Sequence, residues 1–301
     1  MKIAALELHT GERVIGGILD ERTLNFTRAL ALFQVAVGNF PNFLRTPFEL
    51  IQIGLWDIGL FYNVIDFIEK HNLTNELLIE TEYRLRAPIQ RPPAIYALGR
   101  NYAGHAKEMG KDISKEPIIF GKAPTAVIGP DDPVVYPNWV NRVDPEAELG
   151  VVILKSGSKI PESLAGEYIA GYTCLNDITA REIQAFDISQ SQPWFRSKAI
   201  DTFCPIGPWI VTPDEIGRTV ELDIEMKVNG EVRQKDNTRN MVFSIPTIIS
   251  FISKYITLVP GDVIATGTPE GIKPVEPGDV MEVCIEKIGI LRNSIVGEDS
   301  K

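Results

Sequence analysis

Short apolar segments separated by turn residues dominate the chain beyond residue 94, and this pattern constrains the fold most strongly. They include "AIYAL", "ELGVVIL", "GPWIVT", "DVIATG" and "VMEVCIEKIGIL", with Gly, Pro or Asn-Gly between them. Each segment has the length of a strand, and few helical segments separate them. A doubly wound α/β sheet needs a helix after nearly every strand, so the pattern excludes that class. We expect a β-rich α+β fold.

A proline-rich connector divides the chain. The three prolines between residues 88 and 93 cannot lie inside a helix or a central strand, so this segment is predicted to be extended. Before it, residues 3–19 have the pattern of two short strands, and apolar spacings of three and four over about 27–81 predict helices. We therefore expect a small N-terminal α+β domain, 1–88, and a larger domain, 89–301.

Three local motifs give sharper predictions. Asn-Gly within "VNGEV" at 228–232 predicts a two-residue hairpin, because both residues tolerate the positive φ of a type I′ turn. The segment 244–257 predicts a helix capped by Ser244, with proline in its first turn. Thr179 followed by Glu182 has the spacing of a capping box, so a helix is predicted to begin there.

Charge and hydropathy bound the partners. The 301-residue chain has a net charge of -10 and no Lys/Arg cluster, so the composition disfavours nucleic acid and anionic membrane surfaces as partners. The most apolar stretch is interrupted by Asp57 and Asp66, so no membrane span is expected. The first residues lack a signal-peptide pattern, and we expect a cytoplasmic protein.

Two glutamates precede and enter one of the apolar segments. In "DPEAELGVVILK" the side chains of Glu146 and Glu148 project from the same face of a strand, about 6 to 7 Å apart. A solvated sheet edge is the ordinary interpretation of such a pair. The alternative is that the two carboxylates bind a hard cation.

A third carboxylate, Asp177, ends the apolar segment "GYTCLND" where the chain turns toward a helix. An aspartate at such a corner is often only a helix cap. Together with Glu146 and Glu148, however, it completes three oxygen ligands, the set with which proteins hold Mg²⁺ or Mn²⁺ while leaving positions for water or substrate. Zinc is disfavoured because the three candidate ligands are all oxygens.

Other polar side chains could serve a site of this kind. His105 lies one helical turn before Glu108, so the carboxylate could orient the imidazole to deprotonate a water; a surface salt bridge is the simpler interpretation. Lys198 lies among aromatic and Pro/Gly-rich segments, where it could stabilise enolate or carboxylate charge, or merely extend to solvent. Arg181 and Gln184 share a helix face.

One loop adds a further hydroxyl. In "ATGTPEG" Thr268 and neighbouring backbone amides could bind a substrate carboxylate, although a tight turn alone would explain the glycines.

These motifs, taken in order, resemble the fumarylacetoacetate hydrolase family over about residues 90 to 295. The matching runs are "GRNYAGHAKEMG", "DPEAELGVVI", "NDITAREIQ", "SKAIDTFCPIGPWIV", "VNGEVRQ" and "MVFSIPTIISFISKYITLVPGDVIATGTPEG". The resemblance implies a mixed β-sandwich or roll with Mg²⁺ or Mn²⁺ at the strand ends, acting on keto or diketo acids, usually as a homodimer. The N-terminal module also resembles the extra domain of some bacterial members.

The resemblance also implies roles for individual residues. The metal ligands would be Glu146, Glu148 and Asp177. The dyad His105 and Glu108 would activate water, and Lys198, which also matches a substrate-contacting position, would bind charge on the oxyanion. Arg181, Gln184 and Thr268 match positions that contact substrate.

The spacing of the dyad, H-x-x-E, resembles the acylpyruvase and oxaloacetate decarboxylase branch of the family. The implied function is Mg²⁺- or Mn²⁺-dependent hydrolysis of a C–C bond in an acylpyruvate or related 2,4-diketo acid. Oxaloacetate decarboxylation remains a close alternative, because both reactions pass through an enolate. Isomerisation of a 2-hydroxyhepta-2,4-diene-1,7-dioate or hydration of a 2-keto-pentenoate is a further alternative. A third class is a non-catalytic protein in which the metal only stabilises the fold.

Overall fold

The fold is built mostly from strands, which confirms the β-rich α+β class. The structure is a computed structural model, and it describes residues 1–19, 22–104 and 113–300. The N-terminal strands are β1 (Lys2–Leu8), β2 (Arg13–Leu19), β3 (Arg22–Asn25) and β4 (Tyr83–Arg86). The strands that follow are β5 (Ile95–Gly99), β6 (Ile118–Lys122), β7 (Val127–Ile128), β8 (Val134–Tyr136), β9 (Val143–Asp144), β10 (Ala147–Ile153), β11 (Ile169–Asn176), β12 (Thr179–Ala180), β13 (Cys204–Val211), β14 (Asp223–Val228), β15 (Glu231–Asn237), β16 (Val263–Ala265), β17 (Val280–Ile285) and β18 (Gly289–Gly297).

The helices fall into an N-terminal group and a group that flanks the later strands. The first group is α1 (Phe26–Ala36), α2 (Pro47–Gln52), α3 (Ile58–Lys70) and α4 (Thr74–Leu77). The second is α5 (Arg181–Ser189), α6 (Phe195–Lys198), α7 (Pro213–Ile216) and α8 (Ile245–Tyr255). Among the residues that the structure describes, no helix is long and apolar enough to cross a membrane.

Two sheets organise the described strands. The larger has the order β3-β2-β1-β13-β11-β10-β16-β5-β6, with β4 beside β1 and β7 beside β13. The smaller has the order β15-β14-β17-β18-β8, and β9 pairs with β12. This is the mixed, sandwich-like arrangement that the sequence implied.

The central strand β10 is buried along its whole length, and alternation sends its side chains into two different layers. Leu149 belongs to one apolar cluster with Met226 of the smaller sheet. Val152 points the other way and belongs to a second cluster with Leu30 and Phe61 of helices α1 and α3. The larger sheet is therefore covered by the smaller sheet on one face and by helices on the other.

The N-terminal region is joined to this sheet by backbone pairing. Lys2 of β1 pairs with Val211 of β13, and the indole of Trp56 donates a 2.9 Å hydrogen bond to the carbonyl of Ala170. The division at residue 88 remains a prediction. Since strands from both sides of it share one sheet, any movement between the two parts would have to break these hydrogen bonds.

Two of the three local predictions are confirmed. Asn229 and Gly230 join β14 to β15 with φ of 52° and 79°, the left-handed values that the hairpin requires. Ser244 caps α8 by accepting a hydrogen bond from the amide of Thr247. The capping box is wrong. Helix α5 follows Ala180, without a side-chain cap, because the hydroxyl of Thr179 turns inward.

Candidate metal centre and active site

The three predicted carboxylates lie together at one end of β10 and β11. Ala147 pairs with Asn176 across these strands, which brings Glu146 beside Asp177, and the amide of Asp177 donates to the carbonyl of Glu146 at 2.9 Å. Ligand oxygens of Glu146, Glu148 and Asp177 lie within 4.8 Å of one another. All three side chains are buried, with exposures of 4%, 1% and 0%. Burial of this kind rules out the solvated-edge interpretation.

Two lysines partly neutralise these carboxylates. The ammonium of Lys198 donates to Oε2 of Glu146 at 2.8 Å and to Oδ2 of Asp177 at 2.5 Å. Lys122, also buried, lies 2.6 Å from Oδ1 of Asp177 and donates to the carbonyl of Lys198. Burial lowers the pKa of Lys198, but the charges of Asp177 and Glu146 outweigh it and raise the pKa, so this lysine is an ammonium. We call these three carboxylates and two lysines the carboxylate floor.

The carboxylate floor still has room for a cation. Although Oδ1 of Asp177 forms an ion pair with Lys122, this buried oxygen has no hydrogen-bond partner of good geometry among the described residues. Burial and the charges of Asp177 and Glu146 raise the pKa of Glu148 well above its usual value. A divalent cation would remove that repulsion, and an all-oxygen donor set fits Mg²⁺ or Mn²⁺.

Glu148 is held in place by the loop that carries Thr268. The amide of Gly267 donates to Oε2 of Glu148 at 2.7 Å. Gln234, which sequence analysis did not single out, donates to the hydroxyl of Thr268 at 2.9 Å and accepts from the amide of Ala147 at 2.9 Å. The Thr268 loop and the carboxylates are therefore parts of one hydrogen-bonded unit.

Helix α5 contributes the predicted arginine and glutamine. Arg181 donates through Nη2 to Glu146, through Nε to Asp144 at 2.7 Å, and through Nη1 to Gln184 at 2.6 Å. The Thr179 hydroxyl donates to Glu146 at 3.2 Å, so it serves the site instead of capping the helix. The structure brings Arg181 and Gln184 together with the carboxylate floor.

A cavity of about 360 Å³ opens onto these groups. Glu146, Arg181, Gln184, Lys198 and Thr268 all line it.

The cavity also has an apolar side that the sequence did not reveal. The rings of Phe120 and Trp194 pack with centroids 5.4 Å apart, and we call this pair the aromatic wall. The Lys198 ammonium lies 5.1 Å from the centroid of the Phe120 ring, so the wall begins directly beside the carboxylate floor. A ligand bound here would contact charged groups at one end and aromatic rings along its length.

The remaining predicted site residues, His105 and Glu108, lie outside the described residues. Their role in water activation stays a prediction. Two further contributors, Gln234 and Lys122, were missed from the sequence. Lys122 ends the apolar strand "IIFGK". A lysine within such an apolar segment is the same kind of signal that singled out Lys198.

Comparison with known proteins gives the chain its family. The family model described as Fumarylacetoacetate (FAA) hydrolase C-terminal matches residues 94–296. A mitochondrial oxaloacetate tautomerase of Xenopus laevis is 40% identical over 303 residues, which cover 92% of this chain and 94% of that protein.

Two solved structures are similar over nearly the whole chain. Fumarylacetoacetate hydrolase from Exiguobacterium antarcticum has a TM-score of 0.81 and 31% identity, covering 99% of this chain and 100% of the other. Maleylpyruvate hydrolase from Sphingobium sp. SYK-6, solved with manganese(II) and pyruvate, has a TM-score of 0.76 and 30% identity, covering 99% of both chains. This protein therefore belongs to the fumarylacetoacetate hydrolase family and is an enzyme with a buried carboxylate site for a divalent metal.

Proposed function

We propose that this enzyme is a divalent-metal-dependent tautomerase that interconverts the keto and enol forms of a 2-keto acid such as oxaloacetate. The observation that carries the proposal is that Lys198 of the carboxylate floor lines one cavity together with Arg181 and Thr268. The Xenopus oxaloacetate tautomerase is 40% identical to this chain, against 31% and 30% for the two hydrolases of known structure, and this higher identity favours the tautomerase reaction.

The cation would be held by Glu146, Glu148 and Asp177. When bound, it would act as a Lewis acid that lowers the cost of negative charge on the 2-keto oxygen. Mg²⁺ and Mn²⁺ both suit these ligands.

The chain's own groups would bind and orient the substrate. Thr268, held by Gln234, and Gln184, held by Arg181, offer polar groups for the carboxylate next to the keto carbon. The Lys198 ammonium, already desolvated and fixed by two carboxylates, would stabilise charge on the enolate oxygen. A fixed cation of this kind costs little reorganisation during the reaction, so it stabilises the enolate more than the keto form.

Tautomerisation requires only that a proton leave C3 and that one return to oxygen, or the reverse. The predicted dyad of His105 and Glu108 would move this proton. Loss of His105 should then slow tautomerisation without weakening substrate binding.

A second candidate is C–C bond hydrolysis of an acylpyruvate, the reaction that the sequence motifs favour. The similarity to maleylpyruvate hydrolase supports it, because that protein was solved in complex with both manganese(II) and pyruvate, a 2-keto acid. Hydrolysis uses the same enolate stabilisation but adds an attacking water, for which the predicted dyad would be the base.

The test is to follow ketonisation of the oxaloacetate enol by ultraviolet absorbance, with Mn²⁺ and with chelator, while a coupled assay measures pyruvate. We expect metal-dependent ketonisation without pyruvate release. Ketonisation should be lost in Lys198→Met but kept in the exposed control Lys115→Met. Pyruvate from acetylpyruvate, with no acceleration of ketonisation, would replace the proposal by the hydrolase. Pyruvate from oxaloacetate would indicate the decarboxylase.

We also propose that the enzyme is a homodimer, as the family resemblance implies. Light scattering on the purified protein should give twice the mass of the chain, and the monomer mass would contradict it.

A further inference from the structure

One cation in the cavity takes no part in the chemistry proposed above. Arg100 lines the same cavity as Glu146 and Lys198, immediately after strand β5. No step of tautomerisation at the carboxylate floor uses it.

The backbone holds Arg100 in an uncommon conformation. Its φ is +57°, in the left-handed region that residues other than Gly, Asn and Asp seldom adopt. The next residue, Asn101, is buried and fixed, because its side chain donates to the carbonyls of Phe243 and Thr266 and accepts from the amide of Phe243. Unfavourable conformations that the surrounding fold maintains cluster at functional sites. The start of the Arg100 side chain is therefore set by the fold.

The guanidinium differs from the other cations of the cavity. Arg181 and Lys198 each bind carboxylates of the chain. Arg100 instead has its Cζ 6.0 Å from the centroid of the Trp194 ring, and its buried Nε has no hydrogen-bond partner within the described parts of the chain. A buried donor without a partner is unfavourable, and an anionic ligand would supply the missing acceptor.

Arg100 and Lys198 lie over different rings of the aromatic wall. Lys198 lies over the ring of Phe120, Phe120 packs on Trp194, and Arg100 lies over Trp194. A ligand whose first carboxylate and keto group contact the carboxylate floor would run its carbon chain along these rings toward Arg100.

We infer that Arg100 binds a second carboxylate at the far end of the substrate, so that the enzyme selects 2-keto dicarboxylic acids over 2-keto monocarboxylic acids. The guanidinium can present Nε and one Nη to both oxygens of a carboxylate. The stack on Trp194 keeps this fork in place. This inference rests on the proposed function, because it takes the keto end of the ligand to lie at the carboxylate floor.

The experiment compares two stable ligands that differ only in the far carboxylate, 2-oxoglutarate and 2-oxobutanoate. Their binding to Mn²⁺-loaded protein is measured by calorimetry for wild type, Arg100→Met, Arg100→Lys and the exposed control Arg218→Met. Methionine keeps much of the contact with Trp194 while removing the charge, and lysine keeps the charge without the fork.

Wild type and Arg218→Met should bind 2-oxoglutarate about ten- to a hundredfold more tightly than 2-oxobutanoate, the value of a charge-assisted contact. Arg100→Met should reduce this difference to about threefold or less while leaving 2-oxobutanoate binding unchanged, and Arg100→Lys should lie between them. Equal binding of the two ligands by wild type, or equal weakening of both by Arg100→Met, would overturn the inference.

Turnover separates this inference from the proposed function. If oxaloacetate is not tautomerised but the dicarboxylate preference exists and depends on Arg100, the proposed reaction fails and the assignment of Arg100 stands. If oxaloacetate is tautomerised and Arg100→Met keeps the full dicarboxylate preference, the assignment fails and the reaction stands.

Discussion

The carboxylate floor and the aromatic wall belong to the same cavity but differ in how their cations are paired. In the floor, the ammonium groups of Lys122 and Lys198 both pair with Asp177, so each of these two cations has a carboxylate of the chain beside it. At the far end of the wall, Arg100 contacts a ring and no carboxylate among the described residues. The lysines of the floor are therefore paired with carboxylates of the protein, whereas Arg100 is available to pair with a carboxylate of the ligand.

The largest effect is expected from removing the charge of Asp177, with which both lysines of the floor pair. Asp177→Asn would remove the carboxylate with which buried Lys122 pairs and would leave buried Lys198 paired with Glu146 alone. Removing one partner from a buried ion pair typically costs about 3–5 kcal/mol, so we expect a loss of this size in the free energy of unfolding, measured with denaturant and chelator.

The matched control is Asp131→Asn, because Asp131 forms an exposed pair with Arg292. Its effect should stay within about 1 kcal/mol. Equal stabilities of the two variants would mean that Asp177 is not needed to balance the charges of the two buried lysines.

The next largest effect is expected from Lys122, which contacts Oδ1 of Asp177, whereas the cavity-lining Lys198 contacts Oδ2. Lys122→Met would free Asp177 to turn, and loss of such a supporting partner typically weakens metal binding about ten- to a hundredfold. Mn²⁺ titration of this variant and of the exposed control Lys115→Met measures it. Unchanged affinity in Lys122→Met would show that Lys198 alone positions Asp177.

The smallest effect is expected from a substitution that displaces one ring of the aromatic wall. A Cβ added to Gly99 would lie 2.6 Å from Cζ3 of Trp194, so Gly99→Ala must displace that ring. Overpacking of this kind costs about 1–3 kcal/mol of stability. The dicarboxylate preference should fall while Mn²⁺ affinity stays unchanged.

Gly121→Ala on the neighbouring strand is the control, since its nearest contact would be 3.8 Å away. A fall in Mn²⁺ affinity in Gly99→Ala alone would contradict the separation of wall and floor.

The floor was accessible from the sequence because its geometry is local. Alternation along one strand places Glu146 and Glu148 on a shared face, and a helix turn brings Arg181 to Gln184. Pairing of β10 with β11 then adds Asp177.

The wall and the place of Lys122 in the floor were not accessible, because these contacts join distant segments. Neither the stack of Arg100 on Trp194 nor the approach of Lys122 to Asp177 leaves a periodic signal. The capping box failed for the same reason: Glu146, far away in sequence, competes for the Thr179 hydroxyl. Local rules predicted the strands and turns, and tertiary packing decided which polar groups meet.

The most direct test of the account is a calorimetric titration of Mn²⁺ into chelator-treated wild type, Glu148→Gln and Arg100→Met. Glutamine keeps the size of Glu148 and an oxygen for the amide of Gly267, but it removes the charge. We expect one Mn²⁺ to bind per chain in wild type and in Arg100→Met. The Mn²⁺ affinity of Glu148→Gln should be lowered by more than about a hundredfold. Equal binding by wild type and Glu148→Gln, or none by wild type, would contradict it.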